Sequence, residues 1–258
     1  MGNPFPKQKI FFFLFLFAFV CIFPIKVFSE EKITIAPNAF AIVELYTSQG
    51  CSSCPPADQM LNRLTQLAKE GDKPIYTLAF HVDYWDYLGW KDLYSHSTYT
   101  QRQRDYARWH GKRNIYTPQM IVNGTKEFSG YNNVKAAEAI NQSLVRPANV
   151  LIDVNLRMAD DTITVQYKVS DVKDNSTLNI AIVESGREDY IPRGENAGKT
   201  LKHDHVVRGF GTCRDYDREG WMTFQIPEDL DPGQAEVIVF VQDLKTLEMI
   251  GATQKIWQ

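Results

Sequence analysis

Cys51 and Cys54, separated only by Ser52-Ser53, are the residues of this 258-residue chain with the plainest chemical potential. Two cysteines three positions apart can close a small disulfide ring of the kind used in thiol exchange. Pro55 and Pro56 follow, and from Ala57 the apolar positions Met60, Leu61, Leu64, Leu67 and Ala68 share one helical face. The pair therefore sits where a strand, Phe40 to Tyr46, turns into a helix over Pro55 to Glu70 that Gly71 ends. A helix N-terminus carries about half a positive charge and favours a thiolate beside it. On this reading Cys51 is the exposed nucleophile, and Cys54, tucked against the helix, resolves the mixed disulfide. The same spacing also serves a permanent structural disulfide, or a copper-type site completed by a distant histidine. Half a zinc site is the remaining reading, although no second Cys-x-x-Cys follows.

Other candidates cluster where strands end. Ile75 to Val82 reads as a second buried strand, and strand C-termini line the ligand crevice of open α/β sheets. His81 and Asp83 share a face by the period of two. They suit a proton shuttle, a pair of metal ligands, or a hydrogen-bonded pair that holds an aromatic loop. Trp85, Tyr87 and Trp90 supply an apolar shelf for a peptide or a portion of a core. His203 and His205 flank Asp204; two imidazoles without further donors read as solvated strand residues. Cys213 reads as a small buried hydrophobe.

The remaining elements position these groups. Thr98 to His110 forms a charged helix, and Asn123-Gly124 between Gln119–Val122 and Lys126–Phe128 is a hairpin signal. Asn133 begins a last helix to Leu144. Strand and helix alternate before the hairpin, which implies a mixed sheet with helices on its faces over residues 37–146. Seven short strands with turn signals follow and imply an antiparallel β-sandwich-like domain over 148–258. Arg146-Pro147-Ala148 is the expected boundary.

Lys7 and Lys9 precede fourteen apolar residues, Ile10 to Phe23, and Val27-Phe28-Ser29 completes the pattern of a secretory signal over residues 1–29. Fourteen residues reach only about 21 Å as a helix, short of a ~30 Å hydrocarbon core. Membrane association is thus expected only through an uncleaved signal, and the location is periplasmic or secreted, where disulfides persist. Cys21 leaves with the signal. The chain carries a net charge of −3, and the loss of Lys7, Lys9 and Lys26 leaves 25 basic against 31 acidic side chains. No nucleic-acid partner is expected from that balance.

The order of elements, the place of the Cys-x-x-Cys and Tyr116-Thr117-Pro118 ahead of a strand resemble the thioredoxin fold. More narrowly, VELYTSQGCSSCPPAD (Val43–Asp58), FHVDYWDYLGWKD (Phe80–Asp92), YTPQMIVNG (Tyr116–Gly124) and NAGKTLKHDHVVR (Asn196–Arg208) resemble the bacterial exported family catalogued as domain-of-unknown-function family 1223. The thioredoxin resemblance implies that Pro118 is cis and faces the dithiol. It also implies that Thr117, the residue before it, offers backbone hydrogen bonds to a substrate chain; Tyr116, Trp85, His81 and Asp83 are the further candidates for contact with that chain. Thioredoxins hold a buried carboxylate beneath the resolving cysteine, and Glu44 is the candidate for that place, with an edge or surface role as its alternative. The partners implied are protein thiols or disulfides and an unidentified redox partner, with no organic cofactor and no metal. Gln49-Gly50 and Ser52-Ser53 depart from the thioredoxin pattern, so oxidising or reducing direction does not transfer. A non-catalytic binding module built around a fixed disulfide stands as the other reading.

Overall fold

The computed structural model describes residues 34–257 and the first two residues; the signal segment and Cys21 lie outside the described residues. β1 (Ala41–Thr47) is buried at every position because it is a central strand, flanked by parallel β2 (Ile75–His81) and antiparallel β3 (Gln119–Val122). Its two faces meet different helices. Ala41, Val43 and Leu45 pack on Ala57, Met60 and Leu61 of α1 (Pro55–Glu70) and on Ala136, Ala139 and Ile140 of α3 (Asn133–Leu144). Ile42 and Tyr46 face Tyr99 and Tyr106 of α2 (Ser97–Trp109). A run apolar on both faces is what a strand needs when helices cover both sides. The Asn123-Gly124 turn joins β3 to β4 (Lys126–Ser129) with φ of 44° and 75°. A Cβ on Gly124 would lie 1.8 Å from the Leu247 carbonyl oxygen, so only glycine fits there.

The second half contributes β5 (Ile152–Ala159), β6 (Thr162–Val169), β7 (Ser176–Glu184), β8 (Arg187–Tyr190), β9 (Thr200–His203), β10 (Val206–Cys213), β11 (Glu219–Gln225), β12 (Ala235–Asp243) and β13 (Met249–Ile256). All seven expected strands form, and the β8–β9 hairpin is additional. The expectation of a free-standing sandwich needs correction. Four of those strands continue the first sheet in the order β13-β12-β7-β10-β2-β1-β3-β4, while β11-β6-β5 and β8-β9 form two small antiparallel sheets.

The join is the parallel pair Val206–Ala79, where the Ala79 N–H donates to the His205 carbonyl at 2.9 Å. Apolar residues explain it. β7 and β12 bury Ala181, Val183, Ile238 and Phe240 against Phe80 and the α2 face, while Ile180, Ile182, Val237 and Val239 meet the β5–β6–β11 layer. Strands buried on both faces cannot close one sandwich alone, so they extend the mixed sheet. Residues 34–257 accordingly belong to one compact unit, in which Arg146-Pro147-Ala148 links α3 to β5 of the small three-stranded sheet, while later strands of the same half return to the large sheet. Among the described residues no helix is long and apolar enough to cross a membrane.

Candidate functional site

β1 delivers the chain to Ser48-Gln49-Gly50, and the turn that follows joins Cys51 to Cys54 in a disulfide with Cα atoms 5.4 Å apart. Cys54 is the N-cap of α1; Pro55 and Pro56 occupy the first turn, where no N–H is required. The Ser53 hydroxyl donates to Cys51 Sγ at 3.3 Å. Gly50 is set by a close approach, since a Cβ there would lie 3.1 Å from Trp85 Cβ. Trp85 in turn donates its indole N–H to Thr117 Oγ1 at 2.8 Å, which ties the β2 loop to the Thr117-Pro118 segment.

The Thr117-Pro118 bond is cis. Pro118 lies against the first turn of α1: a Cβ on Gly130 would sit 3.0 Å from both Pro118 Cβ and Ala57 Cβ, and 2.8 Å from Leu45 Cδ1. Gly130→Ala should therefore cost about 1–3 kcal/mol through overpacking. Urea unfolding measures it, and a loss below about 0.5 kcal/mol would show that this junction is slack.

A buried polar cluster is tied to Gln49 ahead of the disulfide and to Asp58 of α1 after it. His81 Nδ1 and Asp92 Oδ2 are 2.8 Å apart with both side chains fully buried. Asp92 also accepts the Gln49 N–H at 2.7 Å and the Tyr94 N–H at 3.0 Å. Burial raises the Asp92 carboxyl, but the His81 charge and these bonds outweigh it and hold the group below its usual range. Burial works to lower His81, and the Asp92 carboxylate reverses the sign, so the imidazole is held above its usual value. His203 packs edge-on against His81 at 4.9 Å between centroids. Burial, and then the His81 cation, push it down to about 3, so it is neutral. Asp58, one turn after Cys54, accepts the Thr47 hydroxyl at 2.7 Å, and burial pushes it up to about 7. Its other oxygen lies 4.0 Å from His203 Nδ1. Asp58 Oδ2, His81 Nε2 and both His203 nitrogens are buried without a hydrogen-bond partner.

Several expectations change here. Glu44 does not lie under the dithiol. It is on the α2 face of β1, where its carboxylate pairs with Arg102 at 2.7 Å. Asp83 does not join His81, because β2 ends at His81; Asp83 accepts the Thr100 hydroxyl of α2 at 2.5 Å. The Tyr116 side chain reaches the Glu127 carboxylate of β4. Of the aromatic shelf, Trp85 is half-buried, Trp90 donates to Gln49 Oε1 at 3.0 Å, and Tyr87 is exposed. His203 and His205 are buried rather than solvated, His205 bonding Thr77 Oγ1 at 2.8 Å. Cys213 is free and half-buried against the sandwich core.

The largest departure is exposure. Cys51 and Cys54 are both 0% exposed, whereas Ser52 and Ser53 between them are open. The β8–β9 loop lies against this turn. Asn196 donates to the carbonyls of Gln49 and Cys51, each at 2.9 Å, and Glu195 accepts the Ser52 N–H and hydroxyl at 3.1 and 2.6 Å. Sequence reasoning on single residues passed over Asp58, Asp92, Glu195 and Asn196; all but Glu195 lie inside the family-like blocks. Among the described residues, no three His, Cys, Asp or Glu side chains are set to hold a metal ion.

Fold and site define a mixed α/β protein whose central strand hands a Cys-x-x-Cys disulfide to the start of a helix, with a buried His–Asp cluster tied to its flanks. The chain belongs to the family described as "Protein of unknown function (DUF1223)", whose model matches residues 42–242. It is similar to the crystal structure of protein AGR_C_4864 from Agrobacterium tumefaciens, at 28% identity and a TM-score of 0.58, covering 86% of this chain and 97% of that one. HBP35 of Porphyromonas gingivalis shares the fold at 13% identity and a TM-score of 0.59, covering 86% of this chain and 76% of the other. No curated protein matches the chain.

Proposed function

We propose that this protein exchanges disulfides with protein thiols outside the cytoplasm, through Cys51 and Cys54 on a thioredoxin-like scaffold. The observation that carries the reading is the Cys51–Cys54 disulfide set between the end of β1 and the first turn of α1. An exported setting supports it, inferred from the signal-like segment over residues 1–29 and from the disulfide itself.

In the exchange a substrate thiolate attacks Cys51 Sγ. The substrate–Cys51 bond forms, the Cys51–Cys54 bond breaks, and Cys54 leaves as a thiolate that the helix N-terminus stabilises. To Asp58, one turn along α1 and pushed up to about 7 by burial, this reading assigns the giving of a proton to that thiolate and its return in the reverse direction. A second thiolate of the same substrate then attacks its own half of the mixed disulfide and expels Cys51 Sγ. Two substrate thiols have become a disulfide, and Cys51–Cys54 has become a dithiol. A protein disulfide run through the same steps backwards is reduced, and a partner protein dithiol or disulfide of unassigned identity resets the pair.

Cys51→Ser should abolish exchange with a reduced or oxidised model peptide, and Cys54→Ser should accumulate mixed disulfides with it, read by mass spectrometry. Equal inertness of wild type and both variants would remove the reading. The complete burial of both sulfurs favours the second reading, a binding module with a fixed disulfide. The reduction potential separates them: below about −300 mV the bridge is structural, and between roughly −120 and −270 mV it suits exchange.

A further inference from the structure

We infer that the β8–β9 loop, residues 192–199, is a lid over the disulfide, and that what it keeps covered is a docking strip for an extended polypeptide substrate. The inference rests on the exchange reading for its biological sense, although the lid itself is testable without it.

The covering is thin and local. Ser52 and Ser53 are exposed, so the Cys-x-x-Cys turn lies at the surface of the fold, yet neither sulfur is reached by solvent. In the loop Pro192, Arg193, Glu195, Ala197, Gly198 and Lys199 are exposed, and Asn196 alone is fully buried. An amide buried from an otherwise exposed loop is a latch. Its two N–H groups take the Gln49 and Cys51 carbonyls, and Lys199 Nζ donates to its oxygen at 2.9 Å. Glu195 adds the second attachment through Ser52.

The main-chain hydrogen bonds of the loop are internal to it, and Gly194 lies against the Leu88–Trp90 segment. It rides on β8–β9, a two-stranded sheet separate from the large one. Ile191, fully buried, anchors the base, and Gly194 and Gly198 carry φ of 80° and 81°, values only glycine adopts freely. A segment with few apolar contacts and a handful of polar ones opens at a fraction of the global unfolding free energy.

The groups the latch occupies name the occupant. The Gln49 and Cys51 carbonyls and the Ser52 N–H are main-chain acceptors and a donor in one short run beside Cys51. An extended peptide satisfies such a run with its own main chain, as in strand addition. A small thiol has no backbone to offer. The substrate class is therefore a protein segment with a cysteine in an extended stretch, and Asn196 and Glu195 hold its place when it is absent.

The test uses the full chain with Cys21→Ser and Cys213→Ser, so that only the pair reports. Disulfide reduction by a small phosphine is followed at neutral pH by iodoacetamide trapping, beside thermal unfolding. In the parent the rate should level off as phosphine is raised, because lid opening limits it. Asn196→Ala should raise the plateau about tenfold, equivalent to about 1.4 kcal/mol, with little change in the unfolding midpoint. Glu195→Ala, at an exposed position, should raise it by a smaller factor and serves if Asn196→Ala fails to fold. Unchanged plateaus in the folded variants would overturn the lid, as would increases that merely track global unfolding. Peptide binding supplies the second arm. Asn196→Ala should bind an extended cysteine-containing peptide more tightly and leave its reaction with free glutathione, once the lid is allowed for, no better than the phosphine rate predicts. An equal gain for glutathione would overturn the docking strip. Fast phosphine reduction with no exchange on any peptide would instead count against the exchange reading and leave the lid standing.

Discussion

Glu44→Gln should lower the unfolding free energy by about 3–5 kcal/mol, because it leaves a buried cation without its counter-charge. Arg102 is 14% exposed at its side chain and Glu44 is fully buried. The guanidinium donates to Glu44 Oε1 from both Nε and Nη2, at 2.9 and 2.7 Å. It also lies 5.1–5.8 Å from the ring centroids of Phe80, Tyr106, Phe210 and Phe240. The paired carboxylate overcomes the pull of burial and holds the Arg102 pKa above its usual value, so the arginine cannot shed its charge to escape the cost. Glutamine keeps the volume and one acceptor; what goes is the charge. Arg102→Met in the same chain should restore at least half of the loss, since apolar replacement of a whole buried pair is often neutral or better. Urea unfolding of the two single variants and the double one measures this. A single-variant loss under 1 kcal/mol would show that the pair is not what holds β1 to α2. The reduction potential should move by less than about 30 mV, about 1.4 kcal/mol, because Glu44 lies on the sheet face away from the cluster that flanks the disulfide.

Asp58→Asn should change how stability depends on pH. Asp58 is raised from 3.8 to about 7 in the folded chain, so its protonated form is the one the fold favours. Such a group contributes fully below pH 3.8 and loses its contribution as pH rises to about 7, with a slope near 1.4 kcal/mol per pH unit and a total of about 4 kcal/mol. His203 acts with the opposite sign. Its folded pKa of about 3 lies below the usual 6.5, so it costs stability as pH falls between those values. From pH 4 to 6.5 the two slopes oppose each other in the wild type. Asparagine removes one of them. The stability of Asp58→Asn relative to wild type should therefore rise with pH, by about 1.4 kcal/mol per unit between roughly pH 4 and 7, and then stay level. Denaturant titrations at pH 4.5, 5.5, 6.5 and 7.5 read it directly. A flat difference across that range would mean that Asp58 titrates as an ordinary carboxyl and is no proton store for Cys54.

What the chain states in its own order is the local chemistry. The nearly continuous apolar run of β1, the prolines and spaced apolar face of α1, and Asn123-Gly124 between two short strands each specify an element, because period and turn geometry act over a few residues. The Cys-Ser-Ser-Cys disulfide at the strand–helix junction is legible for the same reason. The face on which Glu44 emerges was not legible: β1 is buried on both sides, so the period of two tells which residues share a face but not which face holds the disulfide. Asp83 slipped from the predicted pair because the strand stops at His81, and alternation ends with it. The eight-stranded sheet turns on one parallel pair, Val206 with Ala79, which any of several apolar strands could have made by pattern alone. Asn196 reaches Cys51 across 145 positions, and His203 meets Asp58 across as many. Tertiary structure decided those contacts, because a buried amide, carboxyl or imidazole takes the partners that packing brings to it, and packing is chosen by the whole set of apolar faces at once.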